Sequence, residues 1–234
     1  MANEIVRYNN AMNEVAFRKF NSRELDLFFS ICSKLKRKGT EAVQFNFDEL
    51  RELVDYKSTS RERLINDLQN IYGKMLNLNF KFENDEEIVQ FVLFTRYKIN
   101  KKLGFVEIAV NTDFEFILNE ITGNFTRFEL EEFTGLKSSY SKALYRKLKQ
   151  FRSNGIYLVS IEEFRRLLDI PEYYRMGNID QKIFTPIKKE LSPLFNDFNI
   201  KKIKKGRGQG GKVVQLQFTF KEKDQVPLNN WLKG

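Results

Sequence analysis

Apolar and polar residues alternate along this chain in two rhythms, one helical and one extended, and the same succession of rhythms occurs twice. From Ser22 to Leu35, the residues Leu25, Phe28, Phe29, Ile31, Cys32 and Leu35 fall on one broad helical stripe. Asn21-Ser-Arg-Glu24 opens it with the spacing of a capping box, in which each end of the motif satisfies a free backbone N–H. A second helix is predicted from Ser138 to Phe151, with Tyr140, Ala143, Leu144, Leu148 and Phe151 on one side. Behind each comes a short amphipathic helix with a polar cap, Asn46 or Ser160, and an acidic first turn that suits the helix dipole. A third follows: Ser60 to Leu76 aligns Leu64, Leu68, Ile71 and Met75, and Ile179 to Leu191 aligns Ile183, Ile187 and Leu191.

The middle helices carry the repeat most plainly. At an offset of 114, Phe45–Tyr56 matches Val159–Ile170, with Glu49/Glu163, Arg51/Arg165, Leu53/Leu167 and Asp55/Asp169 identical. Each third helix leads into two extended runs joined by a basic, glycine-containing turn. These are Ile88–Ile99 and Phe105–Val110 after a short strand Asn79–Glu83, then Phe198–Lys204 and Val213–Phe220. Three helices and a β-hairpin, twice, is the order of tandem winged-helix domains, an α+β fold divided into residues 1–122 and 123–234. Asp113–Ile121 reads as a helical connector between them.

Composition then narrows the chemistry. The chain has no histidine and one cysteine, which removes zinc fingers, His-based triads and His-dependent metal nickases. We expect no enzyme, no metal and no cofactor. The lone Cys32 fits a reducing cytoplasm, and neither a membrane span nor a secretory leader is expected. Gly206-Arg-Gly-Gln-Gly-Gly-Lys212 approaches the spacing of a phosphate-binding loop, but Val213 stands where the magnesium-binding hydroxyl belongs and a strand follows instead of a helix. Charge is divided unevenly. Residues 1–120 carry 18 Lys+Arg and 19 Asp+Glu, whereas residues 121–234 carry the other 22 and 12. Clustered positive charge attracts polyanions, and double-stranded DNA is the expected partner.

In the second copy, the face of the third helix opposite Ile183 and Ile187 presents Asn178, Lys182, Thr185 and Lys189, flanked by Gln181 and Lys188, with Arg175 just ahead. Asn and Gln pair with adenine, Lys meets guanine acceptors, and a Thr methyl meets thymine. Pro186 either kinks this helix or restarts it, which would move the reading face. Lys201, Lys202, Lys204, Lys205, Arg207 and Lys212 charge the hairpin, and glycines on both sides of Arg207 permit close approach to phosphates. In the first copy, Lys57, Thr59, Arg61, Arg63, Asn66 and Asn70 are the corresponding candidates, in a nearly neutral domain expected to make fewer phosphate contacts.

Ile5-Val-Arg-Tyr-Asn-Asn10, Ser22-Arg-Glu-Leu-Asp-Leu-Phe-Phe-Ser30, Tyr140-Ser-Lys-Ala-Leu-Tyr-Arg-Lys-Leu-Lys149 and Ile179–Leu191 with Pro186 inside occur in the order found in one family. The chain resembles the replication initiators of iteron-controlled, theta-replicating plasmids. That resemblance implies monomers on direct repeats at an origin, a homodimer assembled through the first domain on an inverted repeat that represses its own gene, melting of adjacent A/T-rich DNA, and recruitment of a host initiator and helicase. It also implies that the second domain is the main reader. A winged-helix transcription regulator without an origin role is the alternative, and a DNA-cleaving enzyme or a pure protein-interaction module ranks below it.

Overall fold

The computed structural model describes residues 4–17, 19–35, 41–53, 60–83, 86–112, 125–206 and 211–223. In chain order the elements begin with β1 (Ile5–Asn9), a 3-10 turn (Asn10–Glu14) and α1 (Ser22–Leu35). Then come β2 (Val43–Asn46), α2 (Phe47–Leu53), α3 (Arg61–Met75), β3 (Asn79–Glu83), β4 (Ile88–Val92), β5 (Phe94–Asn100) and β6 (Phe105–Val110). The second half holds β7 (Phe125–Glu129), α4 (Leu130–Gly135), α5 (Ser139–Gln150), β8 (Ile156–Ser160) and α6 (Ile161–Leu168). It ends with α7 (Met176–Ile179), a π-helical turn (Asp180–Phe184), α8 (Thr185–Leu191), β9 (Phe195–Lys205) and β10 (Lys212–Glu222).

The repeat is real in three dimensions. Each copy folds into a three-stranded antiparallel sheet whose middle strand is the last, β2-β6-β5 in one and β8-β10-β9 in the other. The caps expected at Asn21–Glu24 and at Ser160 form, and Ser60 caps α3 in the same way. Asn21 N–H donates to Glu24 (2.8 Å) and Glu24 N–H to the Asn21 side chain (3.0 Å), while Ser60 and Ser160 accept from the N–H groups of Arg63 and Glu163. The connector helix expected at Asp113–Ile121 lies outside the described residues.

Three features were not foreseen. The single run Ile88–Ile99 is two strands, because buried Leu93 turns out of the ladder: its N–H goes to Leu78 and its carbonyl takes the N–H of Asn111. β4 therefore pairs with β3, and β5 with β6. Next, β1 pairs with β7, from Ile5 opposite Glu129 to Asn9 opposite Phe125, so the start of the chain is stitched to the start of the second half. Last, α5 brings four cations into the interior: Lys142, Arg146, Lys147 and Lys149 are all buried.

Each of these cations has a partner. Lys142 donates to Asp26 of α1 (2.5 Å) and to the Phe133 carbonyl (2.6 Å). Arg146 donates to the Tyr8 hydroxyl and the Met12 carbonyl, and its guanidinium lies 4.6 Å and 4.9 Å from the Phe17 and Phe29 ring centres. Lys147 meets Glu14, and Lys149 meets Glu222 (2.7 Å) and Glu132 (3.2 Å). Asn13 adds amide bonds to Thr126 (2.6 Å) and Gln150 (3.0 Å). Two of the segments that carry the family resemblance, around Tyr8 and around Arg146, thus touch across the junction of the copies. Aromatic residues from both halves, Phe28, Phe29, Phe128, Phe133 and Tyr145, continue one apolar core through it.

Candidate nucleic-acid interface

The third helix of the second copy is held by Ile179, Ile183, Phe184, Ile187 and Leu191, all buried. Its exposed residues are Gln181, Lys182, Thr185, Lys188 and Lys189, with Arg175 exposed just before it and Asn178 half-buried. The face expected from periodicity is thus on the outside. The helix runs on through Pro186 without a break. A proline has no N–H and its ring crowds the carbonyl four residues back. The backbone responds by widening one turn: the Thr185 N–H reaches Asp180 O, five residues back, and the helix continues.

Several of these side chains also hold local structure. The Asn178 carboxamide oxygen accepts the Arg175 N–H (2.9 Å) and so caps the helix start. Lys182 lies 4.9 Å from the centre of the Tyr174 ring, which steadies a side chain that would otherwise sample many rotamers. Asp180 ties the helix to the hairpin through Lys202 (2.7 Å). Glu190 accepts the N–H groups of Lys137 and Ser138, fixing the far end of the helix to the start of α5.

Beside the helix runs the β9–β10 hairpin. Side chains alternate across a strand, so Lys202 and Lys204 turn toward the helix and line a groove with Arg165, Met176, Lys212 and Val213. Lys201, Lys204, Lys205 and Lys212 are exposed. Arg207 lies outside the described residues, as do Lys57 and Thr59. Among the described residues, no group of three or more His, Cys, Asp or Glu side chains could hold a metal, and no helix is long and apolar enough to cross a membrane.

In the first copy Arg63, Asn66 and Asn70 are exposed on α3. Arg61 is placed differently from a free DNA contact: it donates to the carbonyls of Lys101 (2.7 Å) and Lys102 (3.0 Å) and clamps the β5–β6 turn. Asn100 closes the same turn by accepting the N–H groups of Lys102 and Leu103, leaving Lys101, Lys102 and Leu103 exposed at its tip. Sequence reasoning missed Tyr174, Asp180 and Arg165. Nothing in the sequence signalled Tyr174 or Asp180 as parts of this face.

Two winged helices in tandem, one with an exposed polar helix beside a lysine-rich hairpin, define a protein built to lie along a polyanion. Family comparison is specific. Residues 5–149 match the model described as Initiator Replication protein, WH1, and residues 160–220 match Initiator Rep protein, WH2. The chain belongs to the initiator replication protein family. It is 40% identical over 197 residues to a Bifidobacterium longum (strain NCC 2705) protein described as "Probable replication protein rep", covering 83% of this chain and 66% of that one. The chain thus spans slightly less than two thirds of that relative's length. Its fold matches the crystal structure of the Pi initiator protein in complex with iteron DNA, with TM-score 0.74 at 13% identity, covering 96% of this chain and all of the other.

Proposed function

We propose that this protein initiates plasmid replication by binding repeated double-stranded sites, iterons, at an origin. The observation that carries this reading is the exposed face from Arg175 to Lys189 set beside the lysine hairpin, in a tandem winged-helix chain of the initiator family. The second copy is the main reader: its helix enters the major groove while Lys204, Lys205, Arg207 and Lys212 neutralise phosphates. The first copy contributes Arg63 and Asn66 and its Lys101–Lys102 turn. The same copy joins two chains into a dimer that occupies an inverted repeat and represses the gene. On direct repeats the protein is a monomer that opens adjacent A/T-rich DNA and draws in the host initiator and helicase. It acts by binding in the cytoplasm and cleaves nothing.

Footprinting on the DNA surrounding its own gene tests this. The expected result is protection of tandem repeats next to an A/T-rich segment, with no strand cleavage when magnesium or manganese is added. Protection of a lone promoter palindrome would instead identify a transcription regulator.

A further inference from the structure

The widened turn before Pro186 decides what Thr185 can show to a partner. A threonine offers a hydroxyl, with one proton to donate, and a methyl group. Here the Oγ1 hydroxyl donates to Asp180 O at 2.9 Å, the same carbonyl that takes the Thr185 backbone N–H. Both donors of Thr185 are therefore turned into the helix, although the residue itself is exposed. Its surroundings suit an apolar contact flanked by positive charge. The groove alongside is lined by Asp180, Phe184, Thr185, Lys188, Ile200 and Lys202, and the one acid among them is paired with Lys202.

We infer that Thr185 selects thymine at one position of the site by contact between its methyl group and the thymine C5-methyl. The inference rests on the reading that this helix lies in the major groove, where that methyl is displayed. The widened turn is the device that enforces it. With its proton committed to Asp180, the hydroxyl cannot donate to guanine or adenine N7; it keeps only its capacity to accept, and the methyl group is left to make the shape contact.

The test uses the full chain and the tightest duplex it selects from a randomised pool. Each thymine is replaced in turn by uracil, which removes only the C5-methyl, and binding is measured at fixed salt for wild type, Thr185→Ser and Thr185→Val. At one thymine, wild type should lose about four-fold in affinity, the factor for burying one methyl-sized group. Thr185→Ser should be insensitive to uracil there, whereas Thr185→Val, which keeps the methyl and loses the hydroxyl, should remain sensitive. Equal uracil effects in wild type and Thr185→Ser at every position would overturn the inference. So would the reverse pattern, with Val insensitive and Ser sensitive. Thr185→Glu separates the two levels of the argument, with its fold checked by thermal melting. If it abolishes binding to the selected duplex, the helix is in the groove and only the methyl contact is at stake. If it binds as wild type does, the placement of the helix itself is wrong.

Discussion

Asp26 and Lys142 form an ion pair inside the protein, and removing one partner should cost more than removing both. Asp26→Ala leaves a buried ammonium without a counter-ion, which typically costs about 3–5 kcal/mol. The double variant Asp26→Leu, Lys142→Met should be more stable than that single variant, though the Phe133 carbonyl then loses its donor at a cost of about 1–3 kcal/mol. Urea titrations of the three proteins check the order. Burial also raises the Asp26 carboxyl to about 6, against the lowering pull of Lys142. Burial likewise lowers the Lys142 ammonium against the raising pull of Asp26, so the two groups titrate as a pair and the stability difference between wild type and Asp26→Asn should change with pH between 7 and 5. A constant difference across that range would contradict the coupling. At the proposed DNA face, Tyr174→Leu should blur the base preference proposed for Lys182 about two- to five-fold by loss of a cation–π contact, with Tyr174→Phe unaffected.

Among the elements, the reading helix carries the sharpest expectation. Gln181→Ala or Lys182→Ala should each remove about 1–3 kcal/mol of discrimination at one or two base pairs. Non-specific binding should barely change for Gln181→Ala and fall somewhat more for Lys182→Ala. Competition over every single-base variant of the site measures this, and unchanged preferences in both would shift attention to Arg63 and Asn66. The hairpin should behave otherwise: Lys205→Ala with Arg207→Ala should weaken all duplexes alike, since phosphate contacts position without reading. Much of this layout was legible in the sequence, because three-to-four periodicity, Ser and Asn caps, and the 114-residue offset are local signals. What stayed hidden is non-local. Nothing in the α5 sequence itself marks its lysines as internal, and only the partners on α1, the 3-10 turn and β10 reveal that Lys142, Lys147 and Lys149 face inward. The pairing of β1 with β7 has no signature in either strand alone, and the split at Leu93 depends on Leu78 and Asn111 arriving from elsewhere. Pro186 announced a disturbance, but a widened turn could not be told from a kink until the Asp180 carbonyl was placed.

Across the whole molecule, binding should be steeply sensitive to salt. If the second copy neutralises about five phosphates, the log–log slope of affinity against salt should be about −4 to −5, and a slope near zero on the selected duplex would remove the basic surface from the argument. The β1–β7 pairing bears on how the chain comes to be folded during synthesis. Ile5–Asn9 is made well before its strand partner, Phe125–Glu129. At about 5–20 residues per second, roughly 6–24 s pass before that partner exists. During that time Val6 and Tyr8, fully buried in the finished protein, lack their neighbours in β7 and α5. Until then the first copy lacks the partner of β1. Its nascent strand must wait for the second copy to begin, so a stalled or truncated translation product exposes a hydrophobic, ladder-ready segment to chaperones and proteases.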